Sequence, residues 1–407
     1  MAQRVQLLAR GVAWAVLLIR AETMNIGLFA DTYSPDINGV VTVVRLMERT
    51  LTDRGHNVYV FAPTHPDAGE DESHVCRFSS VKLIYYEGMR VAMPFSRRAV
   101  RLARELDIVH SHDPFSIGLF AMWAARRYGI PHVHTYHTLY AEYRRYLPAV
   151  IRPPQRFVER YSRSFCDRCD LVVAPSVQMK HELERYHISS PIRALPFGVD
   201  EQEFERRTEW DARSELGIHE PFVLLYVGRL GWEKNIEFLL VAYKELREIR
   251  QDVHLVLAGG GPHRAYLERK AQALGVGDLV TFTGFLPREQ LIELYRQADV
   301  FVFASTTETQ GLVVVEAMMA GTPAVAVGAR GVLDVVDSGR TGLLVSEDEG
   351  EFAESCHALL DDEERRKKLA EAGREQAQAL TAQASVERLL ALYDELIRAR
   401  SPLRRTV

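Results

Sequence analysis

The fold class is decided by the stretch Phe222-Val-Leu-Leu-Tyr-Val227-Gly-Arg-Leu-Gly-Trp-Glu-Lys234-Asn235. A short, continuous apolar run ends in a loop that contains two glycines, and a longer helical pattern follows that loop. Such an order is typical of a strand that is buried on both faces and leads directly into a helix. Because the same unit recurs along the chain, the sequence predicts an α/β protein with parallel sheets.

The recurring strands fall into two series. The first comprises Ile26–Ala30, Asn57–Ala62, Ile108–Ser111, His132–Thr135 and Leu171–Ala174. The second comprises Phe222–Val227, His254–Ala258, Val280–Thr283, Val300–Ala304 and Ala324–Val327. Two successive open sheets imply two doubly wound domains, residues 24–200 and 201–380, with a hinge near Pro196–Pro221. We expect the active cleft between the facing carboxyl ends of their strands.

Length and composition agree with two folded domains. The 407 residues are 47% hydrophobic and 26% charged, which argues against a disordered chain, a collagen or a coiled coil. Residues 1–200 carry 25 Lys and Arg against 20 Asp and Glu, whereas the remaining residues carry 25 against 35. Only the first half therefore favours an anionic surface, and the net charge of −5 argues against a general nucleic-acid binder.

The N-terminal segment 1–23 resembles a signal peptide only superficially. Two arginines precede the apolar run Gly11–Ile19, which is too short to cross a bilayer, and Arg20 and Glu22 follow at once. Met24 directly precedes the first predicted strand. We therefore expect residues 1–23 to be an appended tail, or Met24 to be the functional start.

The four cysteines are too few for a disulfide framework in a chain of this length. Cys166 and Cys169 have the spacing of a redox pair or of half a zinc site. No second cysteine pair or close histidine pair completes such a site. We expect both thiols to be structural residues at a helix end, and we expect no metal.

Two cations follow the strand at Phe222–Val227. Arg229 and Lys234 lie in the strand-to-helix loop, where they could converge on an anion that the helix amides already favour. The alternative is an ordinary surface pair. After the next strand, the run Gly259-Gly260-Gly261 could let the backbone approach a phosphate, or could simply form a tight turn.

The strongest group of residues is Glu308-Thr-Gln310-Gly311-Leu312-Val-Val-Val-Glu316. A helix that starts near Gly311 is apolar almost all round and should be buried. Its one charged residue, Glu316, needs a partner, because a buried lone carboxylate is costly. That partner is either a ligand hydroxyl or a salt bridge in the core. The free amides of Gln310–Leu312 suit an anion or a hydroxyl.

The first half contributes candidates from two loops. His137 follows the strand His132–Thr135, and this position at the carboxyl end of a strand favours a functional role over a structural one. His110 and His112 are weaker candidates that could simply pack or hydrogen-bond. Gly39 is expected at a helix N-terminus that faces the cleft, where its amide suits a phosphate oxygen.

Together these residues resemble the retaining, nucleotide-sugar-dependent glycosyltransferases of family four, which have the two-domain GT-B fold. The resemblance runs from about Met24 to the C-terminus. It is carried by Gly228-Arg229-x4-Lys234, Glu308-x7-Glu316, Tyr136-His137-Thr138, Asn38-Gly39-Val40 and Pro196-Phe-Gly-Val-Asp200. The set is highly specific, whereas any single motif is not.

The resemblance implies a role for each matched group. Arg229 and Lys234 would neutralise the departing diphosphate with support from the Gly39 amide, and no metal or other cofactor is needed. The nucleoside would be held by Glu316 at the ribose and by Phe285-Leu286 at the base. The sugar would be held by Glu308, the amides of Gln310–Leu312 and His137. The C-terminal helix, within 381–407, would cross back to the first domain.

The acceptor is the least determined part. Asp31-Thr-Tyr-Ser-Pro, His134-Thr-Tyr-His-Thr-Leu-Tyr140 and Glu308-Thr-Gln-Gly311 look most like the bacterial diacylglycerol glycosyltransferases. Residues 142–168 hold seven arginines against three acids, and Tyr140, Phe157 and the arginines 156, 160 and 163 are candidates for an acceptor and membrane surface. The alternative is that this helix packs its aromatic stripe on the core.

We therefore expect a retaining hexosyltransferase that moves glucose from UDP-glucose to a lipid such as diacylglycerol, in the cytoplasm at the inner face of the membrane. Acceptors of the soluble, cell-wall or inositol type within the same family are the main alternative. A nucleotide-sugar epimerase, a glycoside hydrolase and a non-catalytic nucleotide-sugar sensor are the competing classes. The oligomeric state is left open by the sequence.

Overall fold

The computed structural model describes residues 23–69, 73–82, 90–93, 96–144, 147–150 and 152–404. The expected N-terminal tail, apart from residue 23, lies outside the described residues.

The first half of the chain forms one parallel sheet and a small hairpin. Its strands are β1 (Asn25–Phe29), β2 (Asn57–Pro63), β3 (Val75–Phe78), β4 (Ser80–Lys82), β5 (Arg90–Ala92), β6 (Ile108–Ser111), β7 (His132–Thr135), β8 (Leu171–Ala174) and β9 (Ile192–Ala194). The sheet has the order β3-β2-β1-β6-β7-β8-β9, and β4 pairs with β5 in an antiparallel hairpin. The strand order reverses at β1.

The second half forms another parallel sheet. Its strands are β10 (Phe222–Val227), β11 (Val253–Ala258), β12 (Val280–Gly284), β13 (Val300–Phe303), β14 (Ala324–Val327) and β15 (Gly342–Val345). Their order is β12-β11-β10-β13-β14-β15, with the reversal at β10. At the reversal, the loops after the two neighbouring strands run to opposite faces of the sheet and leave a crevice between them. Doubly wound sheets bind ligands in such a crevice. The predicted α/β class with two parallel sheets is confirmed.

Helices cover both sheets. They are α1 (Gly39–Asp53), α2 (Arg97–Ala103), α3 (Ser116–Tyr128), α4 (Tyr140–Tyr143), α5 (Gln155–Cys166), α6 (Val177–Arg185), α7 (Glu201–Glu205), α8 (Ala212–Leu216), α9 (Ile236–Ile249), α10 (Arg264–Ala273), α11 (Arg288–Gln297), α12 (Leu312–Ala320), α13 (Val332–Val335), α14 (Glu349–Asp361), α15 (Glu363–Gln378) and α16 (Ala382–Arg404). No helix of this described set is both long and apolar enough to cross a membrane.

The chain passes between the two halves twice, and the two passages lie side by side. Val199 donates its amide hydrogen to the Leu380 carbonyl (3.1 Å) and accepts one from Ala382 (2.8 Å). A Cβ on Gly198 would lie 2.2 Å from the carbonyl carbon of Thr381, so only glycine allows this approach. The two passages together form a narrow hinge.

The C-terminal helix α16 returns to the first sheet. Val386, Leu389 and Tyr393 are buried in the core that β1, β2 and α1 also contribute to. The Tyr393 hydroxyl lies 2.5 Å from Nδ1 of His110, and Arg400 pairs with Asp170 at 2.5 Å. The end of the chain is therefore packed on the domain in which the chain began.

Candidate active site

A large cleft lies between the carboxyl ends of the two sheets. It has a volume of about 2120 Å³, larger than the roughly 300–1,000 Å³ of a typical small-ligand pocket, so it has room for two substrates. The predicted site residues that line it are Gly39, His137, Tyr140, Phe157, Gly228, Arg229, Lys234, Gly260, Phe285, Leu286, Glu308, Gln310, Gly311, Leu312 and Glu316. Arg156, Arg160 and Arg163 are exposed outside it.

Lys234 and Glu308 form an ion pair inside the cleft. Lys234 ends a short 3-10 turn (Trp232–Lys234) after β10, and its Nζ lies 2.6 Å from Oε2 of Glu308, in the loop after β13. Burial disfavours the ammonium ion, but the nearby Glu308 carboxylate outweighs burial and raises the pKa of Lys234. Lys234 is therefore a permanent cation at neutral pH. Arg229, in the same loop, lines the cleft beside it.

The start of α12 offers backbone amides to the cleft. Gly311 has φ +93°, a conformation that favours glycine, and no side chain caps the helix start. The Gln310 side chain is committed elsewhere, because its amide group exchanges two hydrogen bonds with the backbone of Phe197 (3.0 and 2.5 Å). Only the backbone at Gln310 can thus serve a ligand. The exposed helix N-terminus is suited to an anion or a hydroxyl oxygen.

Glu316 has two protein partners. Its Oε1 lies 2.7 Å from a guanidinium nitrogen of Arg288, and its Oε2 accepts a hydrogen bond from the Tyr295 hydroxyl (2.8 Å). The salt bridge considered above as the alternative is therefore present. Arg288 also lines the cleft and pairs with Glu203 through its Nε (2.9 Å). A ribose at Glu316 would have to share this carboxylate with Arg288 and Tyr295.

The glycine run after β11 packs closely against two neighbouring loops and leads into a turn at Pro262 and His263. A Cβ on Gly259 would lie 2.1 Å from the carbonyl oxygen of Gly228, so the loops after β10 and β11 touch backbone to backbone. A Cβ on Gly260 would lie 2.5 Å from the Phe285 ring. Phe285 is 59% exposed and faces the cleft with Leu286. The glycine run therefore shapes the wall on which the Phe285 side chain rests.

His137 belongs to a buried histidine group. Its Nε2 lies 2.9 Å from Nδ1 of His112, a hydrogen bond in which one ring donates and the other accepts. Burial, then the neighbouring His134, lowers the pKa of His137 to about 3. His137 is therefore a neutral contact in the cleft at physiological pH. His110 and His112 are fully buried and hydrogen-bonded, His110 to Thr135 and Tyr393.

Direct contacts join the two walls of the cleft. The Thr309 hydroxyl donates to the His137 carbonyl (2.8 Å), and the Ser176 hydroxyl donates to the Thr309 carbonyl (2.6 Å). The loop that carries Glu308 is thereby held against the strand end that carries His137. At the opposite edge, Gly39 starts α1, and a Cβ there would meet no atom within 4 Å.

Two buried acids were not among the predicted site residues, although Asp31 begins one of the motifs quoted above. Asp31 and Asp113 each lie two residues after the end of a strand, β1 and β6, and these strands are neighbours at the reversal point of the first sheet. Both are nearly inaccessible and line the cleft. His137 was selected because it follows the carboxyl end of a parallel strand. The same criterion, applied to every strand next to the point where the strand order reverses, would have found both acids.

The predicted aromatic stripe of α5 consists of Phe157, Tyr161 and Phe165, and its two ends lie in different surroundings. Phe165 is buried, and the Tyr161 hydroxyl donates to the Pro114 carbonyl (2.5 Å), as expected for a helix packed on the core. Phe157 is 63% exposed at the cleft. The core-packing alternative therefore applies to the Phe165 end of α5, and Phe157 stays a candidate for the acceptor surface. Arg145, part of the basic stretch, lies outside the described residues.

The two cysteines near the end of α5 have buried thiols. Burial raises the pKa of both Cys166 and Cys169, as it does for structural cysteines. Across the part of the chain that the structure describes, no three His, Cys, Asp or Glu residues are grouped so that they could hold a metal ion.

Family models cover both halves of the chain. The Glycosyltransferase Family 4 model matches residues 37–203, and the Glycosyl transferases group 1 model matches residues 208–376. The chain belongs to the family-four glycosyltransferases. The fold is the GT-B fold, and the cleft described above is that of a glycosyltransferase.

Two curated relatives in this family differ in acceptor. The chain is 37% identical to the alpha-monoglucosyldiacylglycerol synthase of Streptococcus pneumoniae over 316 residues, which is 75% of this chain and 71% of the relative. It is 32% identical to the D-inositol 3-phosphate glycosyltransferase of Corynebacterium jeikeium over 397 residues, 89% of this chain and 92% of the relative.

Solved glycosyltransferase structures share the fold. Sucrose-phosphate synthase from Thermosynechococcus elongatus aligns with a TM-score of 0.74 at 25% identity and covers 92% of this chain and all of its own. Anabaena Alr3699/HepE, solved in complex with UDP-glucose, aligns with a TM-score of 0.71 at 20% identity, over 91% of this chain and 98% of its own.

Proposed function

We propose that this glycosyltransferase moves a hexose from a nucleotide sugar, UDP-glucose in the first instance, to a diacylglycerol-type lipid with retention of anomeric configuration. The observation that carries the proposal is the convergence of Arg229, Lys234, the uncapped start of α12 and Glu316 in one cleft. The relative that acts on diacylglycerol supports the lipid acceptor.

The chemistry follows from charges fixed in place before the reaction. When the bond to the sugar breaks, negative charge grows on the diphosphate, and Arg229 and Lys234 are positioned to stabilise it. The α12 amides add partial positive charge, and the Gly39 amide would add more from the opposite wall. Two permanent cations supply the positive charge that a metal ion would otherwise provide, so we propose a reaction without metal or other cofactor.

Glu308 has a second task beyond holding a sugar hydroxyl. Its carboxylate fixes the ammonium of Lys234 in one orientation. A diphosphate that enters the cleft would compete with Glu308 for this cation, which would free a carboxylate oxygen for the sugar. The neutral His137 would contact the same sugar as a hydrogen-bonding group. Domain closure would bring the acceptor to the donor and exclude water.

We propose that the lipid is met at the inner face of the membrane, with the protein peripherally bound from the cytoplasm. Arg156, Arg160 and Arg163 project from α5 into solvent, while Phe157 of the same helix lines the cleft. A basic helix next to the substrate opening suits an anionic bilayer, where each cation contributes about 1 kcal/mol.

The function is tested by incubating the protein with radiolabelled nucleotide sugars and diacylglycerol vesicles. Lipid-soluble label with an α linkage, read by NMR of the product from an α-linked donor, supports the proposal. Label that appears only on inositol-type or cell-wall acceptors contradicts the lipid assignment. Interconversion of free nucleotide sugars would show an epimerase, sugar release without nucleotide a hydrolase, and donor binding without turnover a sensor.

The membrane surface is tested by reversing the charge of Arg156, Arg160 and Arg163 together. We expect the variant to lose co-sedimentation with anionic vesicles while it keeps its affinity for the nucleotide sugar. The matched control reverses Arg365, Lys367 and Lys368, which are exposed on α15. Equal sedimentation of the two variants would refute a membrane role for α5.

A further inference from the structure

Asp113 and Tyr140 form part of the first-domain wall of the cleft. Asp113 is 6% exposed, and its Oδ1 accepts a hydrogen bond from the Tyr140 hydroxyl (3.1 Å). Its Oδ2 accepts one from the backbone amide of Asp31 (3.0 Å). An ionised carboxylate has about four acceptor positions, of which these two bonds use two, and Asp113 is one of the residues that line the cleft.

This wall lies close to the donor loop. Tyr140 starts α4, three residues after His137, and the His137 carbonyl accepts the hydroxyl hydrogen of Thr309. Thr309 is the neighbour of Glu308. Asp113 is thus connected through Tyr140 and one short turn to the loop expected to hold the donor sugar.

The neighbouring acid, Asp31, has a structural task. Its Oδ1 accepts hydrogen bonds from the Ser116 hydroxyl (2.6 Å) and the Ile117 amide (3.0 Å), and its Oδ2 accepts one from the Gly118 amide (3.4 Å). These donors form the first turn of α3, whose own N-cap residue supplies no side-chain bond. Asp31 caps α3 from the loop after β1. Asp113 has no such helix end to stabilise.

We propose that Asp113 receives the hydroxyl group of the acceptor and makes the enzyme select neutral acceptors over phosphorylated ones. The hydroxyl donates to an open position of the carboxylate, beside the bond from Tyr140. A phosphate in the same place would be the third acidic group, after Asp31 and Asp113, in a site shielded from water. Like charges in such surroundings repel strongly.

The selectivity bears directly on the two acceptor classes among the relatives. Diacylglycerol presents a neutral hydroxyl, whereas inositol 3-phosphate carries a phosphate. Among the first-half arginines that line the cleft, which include Arg45, Arg49 and Arg77, Arg144 follows Tyr140 by one turn and is the candidate to reverse this preference. The proposal assigns the choice to Asp113, not to Arg144, and it rests on the glycosyl transfer proposed above.

The test compares Asp113→Asn with the wild type on dioctanoylglycerol, myo-inositol and D-inositol 3-phosphate. We expect kcat/KM to fall by about 10- to 100-fold for whichever neutral acceptor the wild type uses, because one hydrogen bond to a charged group is lost. The affinity for UDP-sugar, measured by calorimetry, should be unchanged, and the preference over the phosphorylated acceptor should shrink. Asp278→Asn is the matched control, because Asp278 is exposed in the second half of the chain and is not one of the residues that line the cleft, so it should behave as the wild type.

Tyr140→Phe supplies a second variant, which removes only the hydroxyl that orients Asp113. It should raise KM for the neutral acceptor several-fold and leave donor affinity intact. A wild type that prefers inositol 3-phosphate, or an unchanged preference in Asp113→Asn with a changed one in Arg144→Gln, would overturn the proposal. If the wild type transfers sugar to myo-inositol but not to lipid, and Asp113→Asn still lowers that transfer, the lipid acceptor is refuted and the role of Asp113 is not.

Discussion

Lys234 Nζ and Glu308 Oε2 lie 2.6 Å apart, although one follows β10 and the other follows β13. These strands are neighbours in the second sheet, at the point where its strand order reverses. Lys234 and Glu308 belong to two separate sequence motifs, but in the structure they form one ion pair. A substitution of either residue changes the environment of the other.

Lys234→Ala should abolish transfer and also lower stability, because it leaves the Glu308 carboxylate largely buried without its cation. The double variant Lys234→Ala, Glu308→Gln should recover stability and not activity. The expected coupling is about 1–3 kcal/mol in the free energy of unfolding. Denaturant melts and product formation would be measured on both single variants, the double variant and the wild type. A double variant no more stable than Lys234→Ala would show that the pair is not coupled.

Arg288→Lys should weaken donor binding more than it slows catalysis. The guanidinium contacts Glu316 and Glu203 at once, whereas an ammonium cannot reproduce this planar two-sided contact. Glu316 would then keep Tyr295 and would have to compete with Glu203 for the single ammonium group. We expect KM for UDP-sugar to rise about 10-fold, as for a lost charge-assisted hydrogen bond, with little change in kcat.

The control for this variant is Arg250→Lys. Arg250 also bridges two carboxylates, Asp252 and Asp361, at 2.8 Å each, and it lies at the end of α9 away from the cleft. It should alter stability slightly and leave both kinetic constants unchanged. If the two variants have the same KM, Arg288 does not orient Glu316 for the donor.

The ten predicted strands are all present, and most of them are apolar and buried, although β7 (His132–Thr135) contains two histidines and β12 (Val280–Gly284) is mostly half-buried. Five strands were missed, namely β3, β4, β5, β9 and β15, and of these β15 (Gly342–Val345) is an apolar run at the edge of the second sheet. β3 (Val75–Phe78) and β9 (Ile192–Ala194) lie at the edges of the first sheet, where charged residues such as Arg77 and Arg193 interrupt the apolar pattern. An edge strand is defined by its hydrogen bonds to one neighbouring strand and not by burial. The pattern of apolar residues in the sequence does not reveal that pairing.

The same limit applies to the site. Which loops meet follows from the strand order, so the residues gathered in the cleft could be predicted from their positions after strands. Which atoms pair does not follow, since Arg288 reaches Glu316 across 28 positions of sequence from another helix. The Gln310 side chain likewise binds Phe197 in the hinge, a contact that only the assembled domains define.

Asp113 should set the pH dependence of acceptor use. Burial, and then the charge of Asp31, raises the pKa of Asp113 to about 7. Tyr140, the other group that faces it, has a pKa raised well above its usual value and stays protonated. If the ionised carboxylate receives the acceptor hydroxyl, kcat/KM for the acceptor rises with pH through about 7 in the wild type. The profile of Asp113→Asn should be flat over this range.

The raised pKa of Asp113 also predicts how stability depends on pH. Acceptor use should rise with pH, whereas the free energy of unfolding should fall. An aspartate in the unfolded chain loses its proton near its ordinary pKa of 3.8, before the folded Asp113 does, so the native state binds more protons between these two values. Stability therefore falls as pH rises from about 4 to about 7 and then levels off. Asp113→Asn removes this cost, since its amide can still accept from the Asp31 amide and donate to Tyr140.

We expect the melting temperature of Asp113→Asn to exceed that of the wild type by more at pH 8 than at pH 5. A residue kept only for structure would lose stability on this substitution, whereas a carboxylate kept for function despite its cost would gain it. Thermal melts at the two pH values, paired with the acceptor kinetics, separate these outcomes. A lower melting temperature at pH 8 would assign Asp113 to the framework and remove it from the reaction.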